Sequence, residues 1–344
     1  MQSIVQFFHP GGEHGFDKNR SKDGCLFKDW NNIKHQRKFL LNEGSYIKNE
    51  KKHEGKLLFW GEWEPPSKVT ELKQQSNSSQ YGINPKYLHC PFLPSVDEIK
   101  KYQETWIYHK EHRQEVHYYQ NSDPFVFGNN FIYGICLQKM QSLRTLEPGS
   151  LIIFGSYVNC RFAIDTVFVV KTAEKYASLE DVEKIKIEKY PDIVTKFIMD
   201  KNNKVSPPNG LILYTGATFN DPVKGMYSFV PAKVFNGEEI GFPRFLMPDE
   251  FYKSKNNRIN KYFSEYSIEG DKIIERKNQG IKRASADIGE ISTLWEYIKT
   301  EVSKDYVLGY NFKMPDINNN FHWKKESFHP PVNPKKGSCV GSHC

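Results

Sequence analysis

Two periods of apolar residues run through this chain, and the period of two dominates. SIVQFF (residues 3–8) reads as a short strand that stops at HPGGEHG, a turn rich in Gly and Pro. In LLFWGEWEPP (57–66), Leu57, Phe59, Gly61 and Trp63 alternate with Leu58, Trp60, Glu62 and Glu64, and the strand stops at Pro65-Pro66. PGSLIIFGS (148–156) and RFAIDTVFVV (161–170), joined by a short polar link, predict a β-hairpin. SPPNGLILYTGATF (206–219) and GMYSFVPAKVF (225–235) add further strands. The helical period is rarer. Trp30, Ile33, Arg37, Leu40 and Leu41 predict a helix over 30–41, and Ser95 and Glu98 stand at capping-box spacing. SLEDVEKIKI (178–187) predicts a charged surface helix. Ile288, Ile291, Leu294, Trp295, Ile298 and Val302 form the clearest amphipathic helix.

Strands outnumber helices and do not alternate with them, which argues against a doubly wound parallel fold. The pattern predicts an α+β protein with a central bent mixed sheet or small β-barrel and flanking helices. The expected organisation is one domain over 1–313, sheet-rich at about 57–235, with basic flanks at 1–56 and 251–313. An extended or disordered tail follows over 314–344, rich in Pro, Asn and Lys.

Composition narrows the class. With 38% hydrophobic and 14% aromatic residues among 344, the chain can bury a core, which excludes global disorder. No apolar run approaches the roughly 18 residues of a membrane-spanning helix, and MQSIVQFFHPGG does not read as a signal peptide. Six cysteines without a CxxC pair predict free thiols and a cytoplasmic protein. Residues 1–60 hold 11 basic against 7 acidic residues, 61–250 hold 21 against 23, and 251–344 hold 16 against 11. Basic ends around a neutral middle predict a nucleic-acid partner, DNA before RNA, and no membrane partner. A Lys-rich genome is the bland alternative, since 39 of the 48 basic residues are Lys. No phosphate loop, dinucleotide fingerprint or zinc motif is present, so no cofactor is expected.

Four carboxylates are candidate catalytic groups. Asp165 stands in RFAIDTVFVV, where strict alternation places it with Ala163, Val167 and Val169. A carboxylate on such a face needs an Arg or Lys partner or a raised pKa. Glu62 and Glu64 lie beside Trp60 at a strand end and suit acid/base work. Asp123 opens NSDPFVFGNNF (121–131), and both it and Asp221 read as starting local turns. Trp60, Phe127, Tyr214 and Tyr227 offer stacking surface, and Asn129 and Asn130 offer amides to a base edge. Gly11, Gly12 and Lys224 are candidates for phosphate contact. His9, Glu13 and His14 form an alternative metal set. Each has a structural counterpart: a paired Asp, a solvated strand face, an aromatic core strand or a plain turn.

PGSLIIFGSYVNCRFAIDTVFVV (148–170) resembles the strand pattern of small RNA- and base-binding barrels of the PUA/ASCH type. Together with LFWGEWEPPS, DPFVFGNNF and GMYSFVP, it is similar to bacterial proteins associated with nucleotide modification and phage defence. The resemblance implies recognition of a modified or flipped base. It raises the expectation of a DNA glycosylase-type hydrolase that removes modified bases from phage DNA. The alternatives are a non-catalytic reader of modified DNA or RNA, a metal-dependent nuclease or hydrolase, and a structural or protein-binding component.

Overall fold

The computed structural model describes residues 2–9, 13, 15, 26–28, 37–72, 85–95, 97–98, 122–129, 131–158, 161–176, 210–237, 244–254, 258–270, 272–275 and 280–322. Its strands are β1 (Ser3–His9), β2 (Leu26–Lys28), β3 (Lys38–Lys48), β4 (Lys51–Gly61), β5 (Ser67–Glu71), β6 (Tyr87–Pro91), β7 (Leu93–Pro94), β8 (Ile132–Tyr133) and β9 (Leu151–Val158). They continue as β10 (Arg161–Tyr176), β11 (Leu211–Gly216), β12 (Val230–Val234), β13 (Tyr266–Glu269), β14 (Lys272–Glu275), β15 (Ile281–Ser285), β16 (Val307–Phe312) and β17 (Ile317–Asn318). Two α-helices are described, α1 (Asp249–Lys253) and α2 (Ile288–Asp305).

The architecture is mixed α+β and mostly sheet. One sheet runs β15-β1-β9-β10-β11-β8, and a second runs β16-β12-β4-β3-β6-β5-β2. Strand β16 also pairs with β3, so β3, β4, β12 and β16 close into a small four-stranded ring. Parallel pairs (β1 with β9, β3 with β6) stand among antiparallel ones. A bridge between Val167 and Phe229 stitches the two sheets together.

Both faces of the first sheet are covered, which explains its nearly continuous apolar runs. Val5, Phe7, Ile152, Phe154, Phe168 and Val170 pack on one side with Phe59, Trp63, Phe127 and Tyr214. Ile4, Leu151, Ile153, Val167 and Val169 pack on the other with Ile291, Leu294, Trp295 and Ile298 of α2. That helix starts on a full capping box, with Asp287 and Glu290 each accepting from the other's backbone N–H. No helix among the described residues is long and apolar enough to cross a membrane.

The expected hairpin at 148–170 is present as β9 and β10. The expected helix over 30–41 is not borne out where it is described. Residues 30–36 lie outside the description, and Lys38–Leu41 open strand β3. Here non-local pairing outweighs the helical spacing: Phe39, Leu40 and Leu41 sit opposite Trp60, Phe59 and Leu58. Asn49 and Glu50, both at positive φ, form the two-residue turn that β3 and β4 require. The expected helix at 178–187 lies outside the described residues. Sheet strands also extend beyond 57–235, since β1 and β3 precede that range. Beyond residue 314, β17 pairs with β7, and Phe321 is buried.

Strand β10 departs from strict alternation at the residue that matters most. Ile164 pairs with Gly155 and Thr166 with Phe154, so Asp165 is the extra residue of a β-bulge. Phe162 and Ile164 therefore share a core with Val167 and Val169, which strict alternation had placed opposite them. Gly155 permits this close approach, because a Cβ there would lie 2.3 Å from the Ala163 carbonyl oxygen.

Candidate functional site: a buried carboxylate cluster around Arg37

Four segments deliver ionisable side chains to one interior point. Arg37 and Lys38 enter at the start of β3, Glu62 and Glu64 follow the end of β4, Asp165 comes from the β10 bulge, and His9 ends β1. Arg37 Nη1 donates to Glu62 Oε2 at 2.7 Å, and Nη2 lies 2.9 Å from Asp165 Oδ2. Arg37 is 1% exposed, Lys38 and Glu64 are 0%, and Asp165 is 1%, so water screens this cluster little. The Lys38 ammonium donates to the Trp63 carbonyl, and the Glu64 backbone N–H donates to Ser122 Oγ at 2.9 Å.

Asp123 makes a different kind of contact from the local turn expected of it. Its carboxylate accepts backbone N–H groups from Gly134 (3.1 Å), Ile135 (2.7 Å) and Cys136 (2.7 Å). It thus pins the β8 turn, and its charge is felt by Arg37 and Glu62.

His9 Nδ1 is in hydrogen-bonding contact with Arg37 Nη2. The His9 Nε2 lies 3.9 Å from Glu62 Oε2. Stacking on Phe154, with ring centroids 5.8 Å apart, holds the imidazole in that orientation.

Carboxylates outnumber cations here, and titration reflects it. Burial pushes Glu62 well above its ordinary range; Arg37 opposes this, and the Glu64 and Asp123 charges add to it. Burial likewise lifts Asp165 to about 6 against Arg37 and the Thr166 hydroxyl, and its Oδ1 finds no well-aligned donor among the described residues. Burial raises Asp123 too, with its three amide donors pulling the other way. One carboxyl that favours its proton beside another that titrates near neutrality is the arrangement acid/base chemistry needs.

The structure thus gathers Asp165, Glu62, Glu64 and Asp123, and brings His9 to them. Glu13 is one step away: it bridges to Arg37 by backbone, and its Oε1 accepts the Lys86 and Tyr87 amides. Trp60 lies at the edge of the cluster, donating to Ser156 Oγ at 2.9 Å, with the Arg244 guanidinium over its ring.

The other stacking candidates do not converge. Phe127 and Tyr214 are core residues on one side of the first sheet, with the Tyr214 hydroxyl donating to the Leu143 carbonyl. Tyr227 packs on the other side against Trp295. Asn129 is exposed, and Lys224 is exposed in the Val223–Met226 turn. Gly11, Gly12, His14 and Asn130 lie outside the described residues. Among the described residues, no three His, Cys, Asp or Glu side chains are grouped to hold a metal ion.

Sequence reasoning missed Lys38, Ser122 and Arg244, and placed Arg37 on a helix. The adjacent cations Arg37-Lys38 directly before the apolar run Phe39–Leu41 were the available signal. No protein-family model, curated protein or solved structure matches this chain.

Proposed function

We propose that this protein is a carboxylate-dependent hydrolase acting on N-glycosidic bonds in nucleic acid. The observation that carries this reading is the meeting of Glu62, Glu64, Asp123 and Asp165 around Arg37. These residues come from three distant parts of the chain.

Breaking an N-glycosidic bond develops oxocarbenium-like charge on the sugar while the departing base takes up a proton. Glu62, whose carboxyl burial pushes towards its protonated form, suits the donor role. Asp165 is mostly ionised above about pH 6 and suits the stabilisation of that charge or the activation of water. Arg37 keeps the two apart in function by binding one oxygen of each.

A purely structural role fits the cluster less well. Burying ions for stability alone is often matched or bettered by apolar packing of the same volume. Several carboxylates sharing one guanidinium make that balance worse. Sites kept for activity rather than stability have this character.

The test is to incubate the protein with unmodified DNA and with base-modified phage DNA, and to follow released bases by mass spectrometry. Wild-type protein is expected to release a modified base. Asp165→Asn and Glu62→Gln are expected to lower the rate at least about 100-fold while remaining folded. Absence of release by wild-type protein, or undiminished release by both variants, overturns the reading.

A further inference from the structure

Arg244 is buried to 5% exposure, yet no described residue hydrogen-bonds or ion-pairs with it. Its guanidinium carbon lies over two aromatic rings, 3.8 Å from the Trp60 centroid and 5.2 Å from that of Phe39. Its Nε is enclosed without an acceptor among the described residues, as are those of Arg37 and Arg161, but Arg244 alone of the three has no acceptor on its other nitrogens. Burial pulls its pKa down to about 10, so it remains cationic at neutral pH, and the one acidic group whose field reaches it is Glu13. Glu13 spends Oε1 on two backbone amides.

The other two deeply buried arginines are supplied with acceptors. Arg37 has Glu62, Asp165 and His9. Arg161 has Asp249 at 2.5 Å and the Met247 carbonyl. A guanidinium carries five donors, and an N–H enclosed without an acceptor costs the desolvation of part of a charged group. Stacking on Trp60 recovers only part of that cost. What the position lacks is an oxyanion.

Its place in the fold says whose. Trp60 lies two residues before Glu62 on the same chain segment, and Phe39 lies two residues after Arg37. The stacked guanidinium therefore borders the carboxylate cluster. Those carboxylates repel anions, so an anionic substrate needs a cation at this edge to be held there.

We propose that Arg244, stacked on Trp60, binds a phosphate oxyanion of the substrate. This rests on the nucleic-acid reading above, in which every reacting sugar carries a neighbouring phosphate. The guanidinium fork offers two parallel N–H groups to two phosphate oxygens, and stacking fixes the plane of the fork before the ligand arrives. Phosphate binding then sets the distance between the sugar and Asp165, which makes Arg244 a substrate-binding residue separate from the acid/base pair.

The experiment titrates full-length protein with inorganic phosphate and, separately, with an unmodified single-stranded DNA oligonucleotide at fixed low ionic strength. The readout is the NMR signal of the Trp60 indole N–H, which belongs to the ring that the guanidinium covers. At least one of the two probes is expected to shift that signal saturably. Arg244→Gln is expected to weaken binding about 10- to 100-fold. Arg244→Lys keeps the cation and loses the fork; it is expected to weaken binding by less, and it carries the test if the Gln variant fails to fold.

Response to phosphate assigns a small phosphate group, and response to the oligonucleotide alone assigns backbone phosphate. Either supports the proposal when Arg244 is required. Silence from both probes, or wild-type affinity in the folded Arg244 variants, overturns it. Asp165→Asn is expected to keep the affinity. Arg244-dependent binding with no Asp165-dependent reaction would remove the catalytic reading and leave the phosphate anchor standing.

Discussion

Helix α2 buries Ile291, Leu294, Trp295, Ile298 and Val302 against the first sheet, with a polar link from the Trp295 indole N–H to the Tyr227 carbonyl at 2.9 Å. Across that sheet, a comparable depth of burial is given to Arg37, Lys38, Glu62, Glu64, Asp123 and Asp165. The helix gains free energy from almost every group it buries. The cluster gives up the hydration of its ions and recovers it only through its own contacts. The helical face is therefore explained by folding alone, whereas the cluster calls for a function.

The largest effect should separate the two most sharply. Arg37→Met leaves the carboxylates facing one another without their shared cation, so a loss of about 3–5 kcal/mol at pH 7 is expected. Urea unfolding at pH 7 and pH 5 checks this. The loss should shrink at pH 5, because protonated carboxyls no longer repel. A loss equal at both pH values would show that Arg37 acts through packing.

Leu294→Ala is expected to cost about 2–5 kcal/mol, because it opens a cavity in a fully buried face. That loss should be the same at pH 5 and pH 7. A pH-dependent loss would couple the helix to the cluster and undo the contrast.

Asp165 tests the sign of the electrostatics. Its ordinary value of 3.8 is raised to about 6 in the folded protein, so the native state binds the proton more tightly than the unfolded chain. Its contribution is fully present below about pH 4 and is lost as pH rises towards 6, by about 3 kcal/mol in all. Asp165→Asn should flatten that fall in a plot of unfolding free energy against pH. Glu62 and Asp123, also raised, keep the same slope in what remains. A wild-type protein that gains stability from pH 4 to pH 6 would contradict the arrangement described here.

The smallest effect lies at the helix end. Asp287→Ala removes the acceptor for the Glu290 N–H at 2.9 Å and should cost about 1 kcal/mol, seen as a lowered Tm with no change at the cluster.

Much of the fold was legible before the structure. The hairpin of β9 and β10, the strands at 211–216 and 230–234 and helix α2 all stand where apolar periodicity placed them. Strand β3 was not legible, because Leu40 and Leu41 fit a helical spacing as well as a strand and only pairing with β4 decides between them. For the site, the residue types were legible and the partners were not. Asp165 calls for a cation or a raised pKa on the pattern of its strand, yet nothing local says that its cation is Arg37, 128 positions earlier in the chain. The bulge that aims Asp165 at Arg37 was equally hidden, because one extra residue leaves no mark in the pattern of apolar positions.

By itself, then, the sequence determined the mostly-sheet α+β class, the apolar faces and the presence of carboxylates that burial would strain. Those follow from short-range periodicity and from the cost of dehydrating charge. Tertiary structure alone decided that the ring of β3, β4, β12 and β16 closes, that carboxylates from distant segments meet at one guanidinium, and that Arg244 lies over Trp60 with no hydrogen-bonding partner among the described residues. Each depends on which distant strands hydrogen-bond and in what register. A one-residue change in that register would turn the same side chains to the other face.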